Sequence, residues 1–293
     1  MRTSELERQR ALLAPGWRSY DAATLEAQYR LTHHPDRERY YREYAQSSLA
    51  ARQSFKWRDV RYGVHPRERL ELFIGRPGMP LFVFIHGGYW RGLDAEMFSC
   101  MGAEYVKRGM HFANIEYPLA PERSMTDIAR SVHAAVVSAL SEARLEGADT
   151  SRYVLAGHSA GGHLAALLPS LHRLWPDMTA LTPSATVPVS GLFDLEPLRS
   201  IGLNETLHMD AAEAERLSPA VQVSSTLPSC IVGVGSDETD EFKRQTMDYA
   251  AQLVTAGVPA QALLVPGANH FTVLLSLARP GSMLFEAAMA VMG

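Results

Sequence analysis

The sequence predicts an α/β fold built on a doubly wound, mostly parallel sheet with helices on both faces. Short apolar runs alternate with longer amphipathic segments from about residue 57 to the C-terminus. Continuous apolar runs of this kind are typical of strands buried on both faces, and their alternation with helices favours right-handed parallel crossovers. The 293 residues, 46% of them hydrophobic, are enough for one large α/β domain.

The first part of the chain differs in composition from the rest. Residues 1–55 are rich in Arg, Glu, Tyr and Gln, with a turn or cap signal at His33-His34-Pro35-Asp36. We interpret residues 1–55 as a mostly helical segment that packs on the core, and residues 56–293 as the catalytic α/β domain. A charged run of this type is usually a solvated face; the alternative is a segment that folds over the mouth of the site.

The α/β domain contains its first clear strand at residues 81–85, an apolar run bounded by Pro80 and Gly87. A helix over 95–108, closed by Gly109, and a strand over 111–117 follow. Between 124 and 143, apolar residues recur at steps of three and four, which predicts one buried helical face. Beyond this helix we predict strands over 153–156, 185–190, 227–235 and 262–265, and helices over 160–168 and 241–255.

Composition excludes several classes of function. The net charge of −4 argues against a nucleic-acid partner and for a small-molecule one. A charged N-terminus and the lack of any apolar stretch of about 18 residues predict a cytoplasmic protein without a membrane partner. The two cysteines, Cys100 and Cys230, are too few for a disulfide framework. The chain has no Cys-x-x-Cys motif, and its histidines are not spaced like zinc ligands. We therefore expect no metal and no organic cofactor.

A Gly-x-Ser-x-Gly motif follows the strand at 153–156, in the sequence Gly157-His158-Ser159-Ala160-Gly161. Between a strand and a helix this motif predicts a nucleophile elbow, a tight turn that needs small neighbours and exposes the central serine. Ligands of such sheets bind beyond the carboxyl ends of the strands, where the turn lies. Ser159 is the predicted nucleophile.

A glycine-rich loop, residues 86–90, follows the strand at 81–85. Backbone N–H groups of such a loop can point at a developing oxyanion, and the residue after the nucleophile supplies a matching donor. We predict an oxyanion hole from Gly88, Tyr89 and Ala160, with Gly87 as the flexible neighbour. His86 is interpreted as a residue that holds the loop.

The base and the acid are expected in the order that this arrangement requires, acid first and histidine last. His270 is best placed as the base because it follows the strand at 262–265. The acid should follow the strand at 227–235, where Asp237 and Glu238 both stand. The residues alone leave both open. Tyr89, Trp90, His158 and Phe271 are the candidate substrate-binding residues, although aromatic side chains are just as often plain core.

These motifs resemble those of the kynurenine formamidase (arylformamidase) family of α/β-hydrolases. The resemblance rests on residues 86–90, 157–161, 190–197, 241–245 and 270–271. It implies an α/β-hydrolase fold and a Ser-His-acid enzyme that cleaves an aryl-formamide, such as N-formylkynurenine, to formate and an aromatic amine in tryptophan degradation. The family carries Asp three residues before the Glu-Phe pair, where this chain has Glu238, so that position favours Glu238 as the acid.

Two alternatives to a formamidase stay open at this point. One is a broad carboxylesterase or lactonase with the same triad, since related bacterial sequences include general esterases. The other is a non-catalytic binding protein on a hydrolase scaffold, which the presence of nucleophile, base, acid and oxyanion loop disfavours. The expected partner is a small-molecule amide or ester, and the sequence leaves a homodimer open.

Overall fold

The computed structural model describes residues 16–31 and 34–292. Most of the predicted N-terminal segment is included, whereas residues 1–15 and His33 of the predicted turn lie outside the described residues. The sheet consists of eight strands: β1 (Trp57–Arg61), β2 (Arg69–Phe73), β3 (Pro80–Ile85), β4 (His111–Ile115), β5 (Asp149–His158), β6 (Ala185–Val189), β7 (Ser229–Gly235) and β8 (Ala260–Val265).

The strand order confirms the predicted fold class. Neighbours in the sheet run β1-β2-β4-β3-β5-β6-β7-β8, and every pair from β4 to β8 is parallel. Only β1 and β2, at one edge, pair antiparallel with each other, and β2 pairs antiparallel with β4. The carboxyl ends of β3, β5, β7 and β8 therefore meet at one edge of the sheet, where the candidate motifs begin.

The antiparallel hairpin β1–β2 is absent from the sequence prediction. In β1 only Val60 is buried, and the other four residues are polar or partly exposed. An edge strand with one buried position carries little of the alternating pattern by which strands are recognised. β1 is held in the sheet by its pairing with β2, in which four of the five residues are buried.

Helices cover both faces of the sheet. They are α1 (Ala22–Tyr29), α2 (Arg37–Ser54), α3 (Ala103–Lys107), α4 (Met125–Leu145), α5 (Ala160–Leu167), α6 (Leu171–Leu174), α7 (Asn204–Leu207), α8 (Ala211–Leu217), α9 (Asp240–Thr255), α10 (Thr272–Ala278) and α11 (Met283–Ala290), with short 3₁₀ helices between several of them. Among the described residues no single helix is long and apolar enough to span a membrane; α10 and α11 pass that test only as a pair, bent by 40°.

The predicted helix over 95–108 is wrong in type. Its first part, Ala95–Gly102, is a 3₁₀ helix, and only Ala103–Lys107 is α-helical. The two meet at Gly102, which packs so tightly on Phe112 of β4 that a Cβ atom there would lie 2.0 Å from the ring. The close approach of this segment to the sheet is a tertiary constraint that the helical pattern does not contain.

The N-terminal helices α1 and α2 lie against the α/β domain and bury apolar side chains there. Leu25 and Tyr29 of α1 join the core on one side of the sheet, and Tyr40 and Tyr44 of α2 join the core on the other. Their division from residues 56–293 as a separate segment stays a prediction. The contacts bring both helices to the edge of the sheet that carries the motifs.

Candidate active site

Ser159 occupies a strained turn between β5 and α5. Its φ of 56° and ψ of −119° are rare for a residue with a side chain. Both flanking glycines are required by space: a Cβ on Gly157 would lie 2.1 Å from the carbonyl oxygen of Gly161, and one on Gly161 would lie 2.0 Å from that of Ile85. The turn directs Ser159 to the carboxyl edge of the sheet.

The helix after this turn carries a buried histidine, His163, whose charged form is disfavoured by its surroundings. His163 Nε2 donates to the carbonyl of Leu217 at 2.8 Å, and Nδ1 has no hydrogen-bond partner. Burial disfavours the imidazolium and lowers the pKa of His163 to about 4. His163 is therefore neutral in the folded protein at pH 7.

This burial predicts a loss of stability in mild acid. The folded-state pKa of His163 is about 4, below the ordinary 6.5. The unfolded chain therefore takes up a proton as the pH falls through 6.5, and the folded protein does so only near 4. We expect this group alone to lower the free energy of unfolding by about 2 kcal/mol between pH 7 and pH 5. Urea unfolding at both pH values measures it. His163→Gln should show a smaller drop than the wild type, and equal drops would contradict the assignment.

His270 and Glu238 form a buried pair at the same edge of the sheet. His270 Nδ1 lies 2.6 Å from Glu238 Oε2, and both side chains are almost fully buried. The other carboxylate oxygen accepts hydrogen bonds from Ser190 Oγ at 2.5 Å and from the N–H of Gly235 at 2.8 Å. With the carboxylate held at both oxygens, Nδ1 of His270 is the donor and Nε2 is left to accept a proton.

The second acid candidate, Asp237, is placed away from His270. Its side chain is exposed, and its carboxylate accepts a hydrogen bond from Ser236 Oγ at 2.9 Å. Glu238 is buried against His270, whereas the adjacent Asp237 is turned to solvent. Asp237 as a catalytic acid is therefore corrected, and the geometry favours Glu238.

His158 lies beside the base instead of replacing it. Its Nε2 donates to the backbone carbonyl of His270 at 2.8 Å, and the two rings are 4.7 Å apart. Burial and the neighbouring His270 ring hold the pKa of His158 well below its ordinary value. A neutral His158 thus connects the loop of His270 to the turn that carries Ser159.

The predicted oxyanion loop has an unusual backbone. Gly88, Tyr89 and Trp90 all have positive φ, of 111°, 50° and 56°. The loop lies directly against the elbow, because a Cβ atom on Gly87 would be 3.0 Å from Cβ of Ser159. The backbone of Gly87, Gly88 and Tyr89 and the first residue of α5, Ala160, therefore flank Ser159 from two sides.

A buried polar cluster that the sequence analysis missed supports this loop. His86 Nδ1 donates to the carbonyl of Gly87 at 2.7 Å, and its ring stacks on Tyr117 at 4.4 Å. The carboxylate of Glu116 accepts from Arg67 at 2.5 Å and lies 3.4 Å from His86 Nε2. Burial raises the pKa of Glu116, but His86 and Arg67 outweigh it and hold the pKa below the ordinary value. His86 thus contacts the loop, in agreement with its interpretation as a residue that holds the loop.

A cavity of about 370 Å³ opens at this edge of the sheet. Ser159, His158 and His270 lie in its wall, with Gly87, Gly88 and Tyr89 of the loop. The remaining wall is mainly apolar and aromatic, with two arginines: Leu31, Arg37, Tyr41, Tyr44, Arg91, Gly92, Leu93, Phe98, Phe271 and Leu274. The predicted substrate-binding residues Tyr89, His158 and Phe271 therefore do face one shared space.

The prediction that Trp90 binds substrate is wrong. Its side chain is fully buried and packs edge-on against His163 at 5.0 Å, outside the cavity wall. The positive φ of Trp90 turns the side chain under the loop and into the core. Tyr41 and Tyr44 of α2 line the cavity instead; their only signal in the sequence was the tyrosine-rich composition of residues 1–55.

Within residues 16–31 and 34–292, no group of three or more His, Cys, Asp or Glu residues could hold a metal ion. Cys100 and Cys230 are free thiols, and burial raises their pKa to about 11 and about 12. Neither thiol lies in the wall of the cavity, so Ser159 is the nucleophilic side chain that the cavity presents.

Comparison with known proteins is consistent with this geometry. A family model described as alpha/beta hydrolase fold matches residues 82–274. Kynurenine formamidase of Danio rerio is 30% identical over 243 residues, covering 80% of this chain and 81% of that protein. Isoprenylcysteine alpha-carbonyl methylesterase of Arabidopsis thaliana is 26% identical over 243 residues, covering 74% of this chain and 57% of that protein.

Solved structures agree on the fold. A Silicibacter sp. TM1040 protein superposes with a TM-score of 0.77 at 31% identity, covering 92% of this chain and 98% of that one. An esterase of Pyrobaculum calidifontis superposes with a TM-score of 0.69 at 18% identity over 98% of this chain and 97% of that one. The resemblance found in the motifs is thus confirmed: the chain belongs to the α/β-hydrolase family and has kynurenine formamidases among its relatives.

Proposed function

We propose that this hydrolase is a serine enzyme that cleaves an aryl-formamide such as N-formylkynurenine to formate and an aromatic amine. The observation that carries the proposal is the meeting of Ser159 with the His270–Glu238 pair in one aromatic-walled cavity. The kynurenine formamidases at 30% identity support the substrate class. A location in the cytoplasm stays a prediction from the sequence, and whether the protein forms a homodimer stays open.

In the proposed mechanism, Nε2 of His270 takes the proton of Ser159 as Oγ attacks the formyl carbon. The N–H groups of Gly88, Tyr89 and Ala160 stabilise the resulting oxyanion. The C–N bond then breaks, and His270 gives its proton to the leaving amine. Water, deprotonated by His270, attacks the formyl ester of Ser159; the ester C–O bond then breaks, His270 returns the proton to Ser159 Oγ, and formate is released. Glu238 stabilises the imidazolium in both steps.

The wall of the cavity suits an aromatic substrate that carries an anionic group. Tyr41, Tyr44 and Phe271 supply ring surfaces. Arg37 and Arg91 are cationic, and none of the described lining residues is acidic. N-formylkynurenine combines an aromatic formamide with an amino-acid carboxylate. The aromatic part matches the ring surfaces of the wall, and the carboxylate matches its arginines.

We expect Arg37→Gln to weaken binding of the carboxylate substrate selectively. Arg37 pairs with Glu38, which is largely exposed, so a substrate carboxylate can replace that partner at little cost. KM for N-formylkynurenine should rise about tenfold, the size expected for one charge-assisted hydrogen bond. Rates on neutral p-nitrophenyl acetate should stay within about twofold.

The matched control is Arg39→Gln. Arg39 lies on the same helix turn, is more exposed and pairs with Asp36 and Glu43 away from the cavity. It should leave both substrates unaffected. An equal loss on both substrates in Arg37→Gln, or the same loss in Arg39→Gln, would contradict a carboxylate contact at Arg37.

The substrate class is tested by comparing kcat/KM for N-formylkynurenine and p-nitrophenyl acetate. The formamidase proposal requires rapid release of formate from N-formylkynurenine. A broad carboxylesterase or lactonase, the class favoured by the methylesterase relatives, would cleave the ester and leave the formamide nearly untouched. A binding protein without activity would fail to react with a fluorophosphonate at Ser159.

A further inference from the structure

The last turn of α1 contacts two parts of the active site at once. Three of its polar groups bond to the segment that follows Glu238: the carbonyl of Gln28 accepts from Thr239 Oγ1 at 2.7 Å, Gln28 Oε1 accepts from the N–H of Glu241 at 3.1 Å, and the hydroxyl of Tyr29 donates to Glu241 at 2.8 Å. The C-terminal end of α1 is therefore fixed to the start of α9.

The anchor at Glu241 is strong because its carboxylate is fully buried and paired. Arg244 donates to both of its oxygens at 2.8 Å, and Gln245 donates to the hydroxyl of Tyr29 at 2.9 Å. Phe242, between these residues, packs its ring 4.5 Å from that of His270 and 5.9 Å from that of Tyr29. α1 is thus attached to the start of α9, which begins two residues after Glu238 and whose Phe242 contacts His270.

On its other side, α1 holds the oxyanion loop. The phenol of Tyr89 donates to the backbone carbonyl of Tyr29 at 2.6 Å. That carbonyl lies at the end of a helix, where no intrahelical partner is available, so it is a free acceptor. Tyr89 itself has a φ of 50°, a conformation that persists only where the surroundings impose it.

We propose that the hydroxyl of Tyr89 is a positioning group for the oxyanion hole, held by α1 in fixed register with the Glu238–His270 pair. The inference rests on the proposed function, since Tyr89 is placed there as a backbone donor. The hydroxyl touches no reacting atom; it fixes the strained backbone of Tyr89, whose N–H group the proposed mechanism assigns to the oxyanion hole.

The test is Tyr89→Phe, which removes only the hydroxyl. We expect kcat to fall about tenfold, less than the 10²–10³ typical of losing a donor outright, because the N–H group is misaligned and not removed. KM should change little. The affinity for a boronic acid, whose adduct with Ser159 places an anionic oxygen in the hole, should fall by the same factor as kcat.

Tyr105→Phe is the matched control. Tyr105 also donates a phenol hydrogen bond to a backbone carbonyl, that of Leu277 at 2.8 Å, and it is buried and does not line the cavity. Both variants should lose a few degrees of Tm, about 3 °C each. Only Tyr89→Phe should lose kcat. Replacement of Tyr89 by 4-aminophenylalanine, which restores an N–H donor, should recover most of it.

The proposal would be overturned if Tyr89→Phe kept the wild-type kcat and boronic acid affinity. An equal loss of kcat in Tyr105→Phe would also overturn it. So would a variant with 4-aminophenylalanine at position 89 that does not recover kcat. All variants are assayed on both N-formylkynurenine and p-nitrophenyl acetate. A wild-type enzyme that cleaves only the ester overturns the proposed substrate, while the role of Tyr89 is decided on the ester. A wild type that cleaves neither overturns both.

Discussion

Ser159→Ala is expected to lower kcat by several orders of magnitude, up to about 10⁶-fold, because no other group can form the covalent intermediate. Water attack helped by the oxyanion hole alone should leave a small residual rate. In the part of the chain that the structure describes, the side chain of Ser159 makes no hydrogen bond that the variant would break, and its backbone N–H still donates to the carbonyl of Val189 at 2.9 Å. Tm should therefore stay close to that of the wild type.

Single-turnover and steady-state assays on N-formylkynurenine measure this loss, and a fluorophosphonate probe reports the nucleophile directly. Ser47→Ala, at an exposed position on α2, is the control and should keep full activity and labelling. A Ser159→Ala enzyme with substantial activity, or labelling that survives the substitution, would rule out Ser159 as nucleophile.

Glu238→Gln is expected to cost about 10⁴ in kcat, the size of loss seen when a triad carboxylate becomes an amide. The carboxylate accepts three hydrogen bonds, from His270, Ser190 and the N–H of Gly235. All three groups around the carboxylate donate hydrogen bonds. The glutamine amide replaces one carboxylate oxygen by an NH₂ group, which is itself a donor. When this NH₂ group faces His270, Nδ1 of His270 must accept its hydrogen bond. Nε2 then carries the proton and cannot accept that of Ser159.

The neighbouring acid provides the control for this prediction. Asp237→Asn changes the same functional group one residue earlier, where the side chain is exposed and contacts Ser236. It should keep wild-type kcat and KM. Steady-state kinetics on both substrates decide the matter: a larger loss in Asp237→Asn than in Glu238→Gln would reverse the assignment of the acid.

Much of the fold could be predicted because the relevant patterns are local. The parallel strands carry continuous apolar runs, and α4 has the period of one buried helical face. The elbow and the oxyanion loop are contiguous motifs whose glycines are required by the backbone itself. The hairpin β1–β2 and the 3₁₀ helix before α3 were missed because their form depends on what they pack against.

Side-chain direction was the weaker part of the prediction. Asp237 and Glu238 are adjacent, and residue type alone could not separate them; the turn after β7 decides which one faces His270. Trp90 carries a plausible substrate-binding side chain, but a backbone with positive φ turns it into the core. In both cases the local backbone of a turn or loop, which the residue types do not reveal, decides whether the side chain faces solvent, the core or the site.

The sequence by itself predicted the candidate catalytic groups of this protein: an elbow serine, a loop of potential oxyanion donors, and a late histidine after an acid, on a parallel sheet that brings them to one edge. Only the tertiary structure decided which acid faces the base, and which side chains from α1 and α2 surround Ser159. The contact of Tyr29 with Tyr89 spans 60 residues, and that of Tyr29 with Glu241 spans 212. Contacts over such separations depend on how helices pack, which no local period encodes. Ser159 was recognisable from five residues, whereas its surroundings required the whole fold.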